Sequence, residues 1–182
     1  MPKISLTAVV KYCNRLLRPE KIQDNERAVN GLQAGNRGHV TRLAATVDAS
    51  VTTVKLAITA GADLLVVHHG LFWSTRQPWT GKNYELLRLL VENDLAVYSA
   101  HLPLDFHPRL GNNALLCAAL GLKKPRPFLL LGGQYYGLQS RAAVPRSRAL
   151  AQICPVATRA RSCSISLSRC GCSVARARGC GT

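Results

Sequence analysis

No acidic residue follows Asp105 in this chain of 182 residues, and no histidine follows His107. The carboxylate and imidazole side chains that acid–base and metal sites draw on most often therefore lie at or before residue 107. No stretch reaches about 18 uninterrupted apolar residues, which excludes an ordinary membrane-spanning helix. The opening segment, MPKISLTAVVKYCNRLL, lacks the long apolar core and small-residue cleavage site of a secretory signal, so a cytoplasmic location is expected. Also absent are a Walker-type phosphate loop, a Gly-x-Ser-x-Gly elbow and paired Cys-x-x-Cys motifs. Aromatic residues are scarce at 5%.

What is present is uneven. Hydrophobic residues make up 47% of the chain, ordinary for a soluble globular domain and enough for one core. The net charge of +15 divides sharply: residues 1–138 carry 16 Lys/Arg against 9 Asp/Glu, and residues 139–182 add 8 Arg and no acid. The first part is only moderately basic, which favours nucleic-acid binding weakly. Cysteine is skewed in the same direction. Cys13 and Cys117 sit among apolar residues, as buried structural thiols do. Cys154, Cys163, Cys170, Cys172 and Cys180 crowd the end. The CGC at 170–172 does not have zinc-knuckle spacing, and the odd total of 7 argues against a clean disulfide framework.

Periodicity sets out an alternation of elements. Ser5 is placed to cap a helix through about Leu17, with Leu6, Val9, Val10, Cys13, Leu16 and Leu17 as its apolar stripe. Residues 23–38, rich in Asn, Gly and Gln, read as a loop. RLAATVD reads as a strand ending near Asp48, and a helix capped by Ser50 or Thr52 runs to Gly61. LLVV is a short buried strand, KNYELLRLLVEN an amphipathic helix, LAVYSA a strand and NNALLCAALG a further helix. The order predicts an α/β fold, a parallel-rich sheet with flanking helices. One or two more strands are expected around Gly132–Gly133. The pattern fails beyond that. Residues 1–147 are expected to form one metal-binding α/β domain. Residues 148–182, rich in Arg, Cys, Ala and Ser without a sustained period, form an atypical tail, disordered or the product of a GC-rich coding region read out of frame.

The histidines fall at functional places on this plan. His68 and His69 end a parallel strand, where open α/β sheets gather their ligands. Successive strand residues point to opposite faces, so an adjacent pair is expected to serve two neighbouring ions rather than one. The next strand runs into SAHLPLDFHP, which sets His101 and Asp105 on a Pro-stiffened turn. Should the strands be neighbours, His68, His69, His101 and Asp105 share a rim suited to two divalent cations. Polar residues simply ending a strand explain the same spacing. Asp48 is either a partner behind the ligands or a helix cap. Trp73 and Trp79 read as packing residues, and His39 and His107 as solvated loop residues.

NGLQAG (30–35), VDAS (47–50), GADLLVVHHGLFW (61–73) and HLPLDFHPRLGNNALLCAALGL (101–122) together resemble the dinuclear metal-centre proteins known as GTP cyclohydrolase 1 type 2 homologues, the Nif-three-like family. The resemblance runs from about residue 3 to about 147. It implies a fold of two similar lobes, of which this chain carries one, with two divalent metal ions in the cleft and a toroidal homo-hexamer as the assembly. By motif His68, His69 and Asp105 match metal ligands, and His101 matches a position beside them. The family completes its site with a C-terminal histidine and glutamate that have no counterpart here. The implied activity is hydrolase-like: activated water attacking an electrophilic carbon, such as C8 of a purine in a nucleotide substrate, and absent if the C-terminal ligands are indispensable. Zinc, iron, manganese and nickel suit such ligands equally. The rival reading is a non-catalytic, metal-stabilised ring or scaffold that binds nucleic acid or a protein partner.

Overall fold

The computed structural model describes residues 3–72 and 78–141. The expectations for residues 148–182 and for Trp73 lie outside the described residues. The chain divides into two compact units, one ending at Leu104 and one beginning at Asp105.

The first unit is built on a four-stranded sheet in the order β2-β6-β5-β4. Its strands are β2 (Gly31–Ala34), β4 (Leu43–Asp48), β5 (Leu64–His69) and β6 (Ala96–Ser99). β4, β5 and β6 are parallel, with Leu43 opposite Leu64 and Leu64 opposite Ala96, as the continuous apolar runs predict. β2 runs antiparallel to β6. It lies in the stretch expected to be a loop. Its Gly, Gln and Ala carry little strand propensity, and pairing with a fully buried neighbour supplies what propensity does not.

Both faces of the sheet are covered. Leu65, Val67 and Val97 point to the side where Val54 and Ala57 of α2 (Val51–Thr59) and Leu90 of α3 (Gly81–Glu92) pack. Leu64, Ala96 and Tyr98 point to the other side, against Leu6, Val9, Val10, Cys13 and Leu17 of α1 (Leu6–Leu17). The alternation is that of the strand pleat. Tyr98 is 1% exposed, and its hydroxyl donates to Asn14 Oδ1 at 2.9 Å, so its polar end is satisfied inside the core.

The helix ends show how local chemistry fixes these elements. Ser50 caps α2 through a reciprocal box: Thr53 N donates to Ser50 Oγ at 3.2 Å and Ser50 N donates to Thr53 Oγ1 at 2.9 Å. Ser5 occupies the cap position of α1 but makes no side-chain cap bond. Its backbone instead belongs to β1 (Ile4–Ser5), paired with His39 of β3 (His39–Val40), and the Leu6 amide donates to the Gly38 carbonyl. His39 is therefore an exposed strand residue, not a loop residue. Asp63 ties the starts of β4 and β5 together. Its Oδ2 accepts from Thr41 N at 2.7 Å and from Thr41 Oγ1, and its Oδ1 accepts from Arg42 N at 3.0 Å.

The turn expected at SAHLPLDFHP contains a single helical turn, α4 (Leu102–Asp105), whose last residue opens the second unit. That unit continues with α5 (Asn112–Ala119), β7 (Lys123–Leu131) and β8 (Gln134–Arg141). β7 and β8 form an antiparallel hairpin, with Leu131 opposite Gln134. Gly132 and Gly133 make its two-residue turn with φ of 54° and 79°, left-handed values that glycine adopts most readily and that suit the twist of a hairpin. Phe128 lies over Gly137, its cross-strand partner. Cys117 is buried, as expected, whereas Cys13 is only partly so.

Candidate metal centre

β5 delivers His68 and His69 beyond the point where its pairing with β6 ends at Val67–Ser99, while its pairing with β4 continues to Asp48–His69. The strand ends here, and Gly70 follows it. The two rings come together, with centroids 4.7 Å apart. His101 follows β6 and places its ring centroid 4.9 Å from that of His68 and 5.6 Å from that of His69. Each of the three offers one nitrogen, and these atoms all lie within 4.8 Å of one another.

The backs of the rings are tied down. His68 Nδ1 lies 3.1 Å from the Ala100 carbonyl, His69 Nδ1 2.7 Å from Asp48 Oδ1, and His101 Nδ1 2.7 Å from Asp24 Oδ1. A carbonyl or ionised carboxylate only accepts, so the proton in each contact belongs to Nδ1 and the lone pair of each neutral ring to Nε2. Imidazoles that lie close together and are backed by oxygen acceptors suit a divalent cation, which takes the neutral ring. The donor set therefore fits the ion that the sequence motifs imply. With Ser50 capping α2, Asp48 is left to hold His69, which decides between its two expected roles.

The two carboxylates differ in setting. The Asp24 side chain is 6% exposed and the Asp48 side chain 54%. Burial pushes the Asp24 carboxyl up, but hydrogen bonds from His101, Asn30 and the Asn25 amide outweigh it and hold the group below its usual range. Asp24 lies in the segment read as a loop, and Asn30 opens the NGLQAG motif without a role assigned to it. The sequence signal was weak: an acid shortly before NGLQAG, far from the histidines.

Three of the four expected site residues are gathered in the first unit. Asp105 is the first residue of the second and is not one of the three. Its Oδ1 accepts from Asn112 Nδ2 at 2.6 Å. His107 does not join the cluster. Its Nδ1 accepts from the amides of Leu110 at 2.9 Å and Arg109 at 3.3 Å, so it fastens a turn rather than standing free in a loop. Burial and then the nearby Arg109 charge lower its pKa. Trp79 is 53% exposed, less enclosed than a packing residue, and borders an apolar cavity of about 140 Å³ with Phe72, Leu87 and Val91.

A parallel-containing α/β sheet with a histidine cluster at its strand ends defines the class of protein. The chain belongs to the Duf34/NIF3 (NGG1p interacting factor 3) family, whose family model matches residues 4–172. It is 48% identical over 126 residues to the GTP cyclohydrolase 1 type 2 homologue of Deinococcus radiodurans, covering 69% of this chain and 47% of that one. It is 45% identical over 123 residues to the homologue of Halobacterium salinarum, covering 67% and 49%. Among solved structures, TTHA1606 from Thermus thermophilus superposes with a TM-score of 0.74 at 30% identity, covering 82% of this chain and 61% of that one. Reduced HcgD from Methanocaldococcus jannaschii superposes with a TM-score of 0.62 at 28% identity, covering 70% and 51%. The chain spans about half the length of the curated relatives it matches. Among the described residues no helix is long and apolar enough to cross a membrane.

Proposed function

We propose that this chain is a divalent-metal-binding, hydrolase-like protein whose centre is formed by His68, His69 and His101, with Asp105 as a further ligand. The observation that carries the reading is the convergence of three imidazoles within 4.8 Å, each fixed through Nδ1 by an oxygen acceptor. Asp105 joins on its sequence motif rather than on geometry. A second ion, a nucleotide-like substrate and a homo-oligomeric assembly belong to the same reading, supported by the family and by the names of its relatives.

When bound, a divalent ion supplies Lewis acidity and lowers the pKa of a coordinated water towards neutrality. The chain's own residues do the rest. His68, His69 and His101 present neutral nitrogen donors, while Asp48, Asp24 and the Ala100 carbonyl hold the Nδ1 protons that keep those donors aimed. A carboxylate beside imidazoles offsets the positive charge of the ions, the part given to Asp105.

Metal analysis of the full chain and its variants tests the ligand set. His68→Ala and Asp105→Ala are expected to lower bound metal, and His107→Ala to leave it unchanged, since His107 is occupied in its own turn. Equal metal content in all three proteins sinks the assignment. Metal-dependent opening of the purine ring of GTP supports the enzyme reading. Salt-dependent binding of single-stranded DNA without nucleotide turnover supports the binding-module reading instead.

A further inference from the structure

His101 is held by a clasp of two side chains from one segment. Asp24 Oδ1 faces His101 Nδ1 at 2.7 Å and accepts from the Asn25 amide at 2.7 Å. Its other oxygen accepts from Leu102 N at 3.1 Å and from Asn30 Nδ2 at 2.8 Å. Asn30 closes the loop by accepting from the His101 amide at 2.7 Å. Ring and main chain of His101 are thus both fixed by two side chains from one segment, and the carboxylate at its centre is 6% exposed.

We propose that Asp24, supported by Asn30, is a positioning residue of the metal centre: it keeps the His101 proton on Nδ1 and thereby commits Nε2 to the ion. This rests on the reading of the histidine cluster as a metal centre. The chemistry follows from the acceptor. An ionised carboxylate has no proton to donate, so a ring turned to present a bare Nδ1 would set two lone pairs against each other in a poorly solvated place. The carboxylate also raises the basicity of the ligating nitrogen, as acceptors behind metal-bound imidazoles do. Asp48 has the same contact with His69 but stands in water, where solvent can replace it and screening weakens it. The two pairs are alike in geometry and unequal in consequence.

Two readouts on the full-length chain test this. In the metal-free protein, long-range proton–nitrogen NMR reports which ring nitrogen carries the proton. We expect His101 to be the Nδ1–H form in the native chain and to lose that preference in Asp24→Ala, with His68 unchanged. Titration with cobalt(II) is expected to show affinity weakened about 10- to 100-fold in Asp24→Ala and less in Asp48→Ala. Its visible spectrum separates nitrogen and oxygen ligation from thiolate ligation by the many cysteines. A native His101 protonated on Nε2 overturns the proposal without any variant. So does an Asp24→Ala protein that keeps both the native tautomer and the native cobalt affinity. Asp24→Asn, which preserves volume and removes the charge, replaces Asp24→Ala should the latter fail to fold, and the same two readouts decide. A native chain with the expected tautomer that binds no cobalt removes the metal reading. The tautomer shift in the variant then still decides whether Asp24 holds the ring.

Discussion

The two units reach strand pairing by different routes. In the first, β5 and β6 are closed from water on both faces: Leu64 and Leu65 are each 1% exposed, and Val97 is fully buried. In the second, strand β7 leaves its apolar residues open, with Leu130 57% and Leu131 53% exposed. One sheet is made by burial, and its register is set by which residues must face which helices. The other is made by a two-glycine turn, the cross-strand contact of Phe128 over Gly137, and Phe106, from the turn after α4, edge-on to Tyr136 of β8 with ring centroids 4.9 Å apart. The candidate metal centre grows from the first kind of sheet. Convergent side chains need a backbone that does not move, and burial on both faces provides it.

The widest gap between the units should appear in truncations of core-type side chains. Leu65→Ala removes a fully buried side chain and leaves a cavity, expected to cost about 3 kcal/mol in a urea-unfolding measurement. Leu130→Ala, chemically the same change on the open hairpin, is expected to cost less than about 0.5 kcal/mol. Comparable losses at the two positions would break the comparison, because they would mean that something covers β7.

Glycines sharpen it at the next level. Gly70 follows the double histidine, and a Cβ there would overlap the Gln33 side-chain amide, whose Oε1 accepts from Leu71 N at 2.6 Å. Gly133 has open space around it but a φ of 79°. Gly70→Ala thus pushes aside the flexible end of Gln33 and breaks its bond to the Leu71 amide, expected to cost about 1 kcal/mol, and in a Gln33→Ala background, where that bond is already gone, the same change should cost little. Gly133→Ala is backbone strain, expected at about 1 kcal/mol, with no side chain whose removal helps. A double-mutant cycle showing additivity at Gly70 and Gln33 would contradict the close approach.

How far these arrangements could be read beforehand follows the same division. β5 and β6 announce themselves as LLVV and LAVYSA because a doubly buried strand is a continuous apolar run. The caps and breaks of the helices, Ser50, Gly61 and Gly121, are local chemistry and stand where expected. β2 escaped, since its pairing is dictated by β6 and not by its own residues. His68, His69 and His101 were legible as a group because strand ends of a parallel sheet share an edge. The close approach of the His68 and His69 rings, centroids 4.7 Å apart, was not, because it depends on side-chain rotamers that no sequence pattern displays. Asp24 was invisible for a different reason: it acts on a residue 77 positions away, and no local pattern encodes that distance.

The last expected effect concerns acid. Burial pushes the Asp63 carboxyl up, but the Thr41 hydroxyl and the amides of Arg42 and Thr41 more than offset this and hold its pKa below the usual range. A depressed folded-state pKa contributes stability above the unfolded value of about 3.9, and that contribution is lost as pH falls through the lower folded value. Asp63→Asn should therefore be less stable than the native chain by about 1 kcal/mol near neutral pH, with the gap narrowing under acid as the native carboxyl takes up its proton. The hairpin offers the contrast, since the second unit contains a single carboxylate, Asp105, and it lies outside β7 and β8. Amide-exchange protection factors, corrected for the intrinsic effect of pH, should fall on acidification at the starts of β4 and β5 while those of β7 and β8 hold. Equal acid sensitivity in both units would mean that the Asp63 clasp is not what joins the two strands.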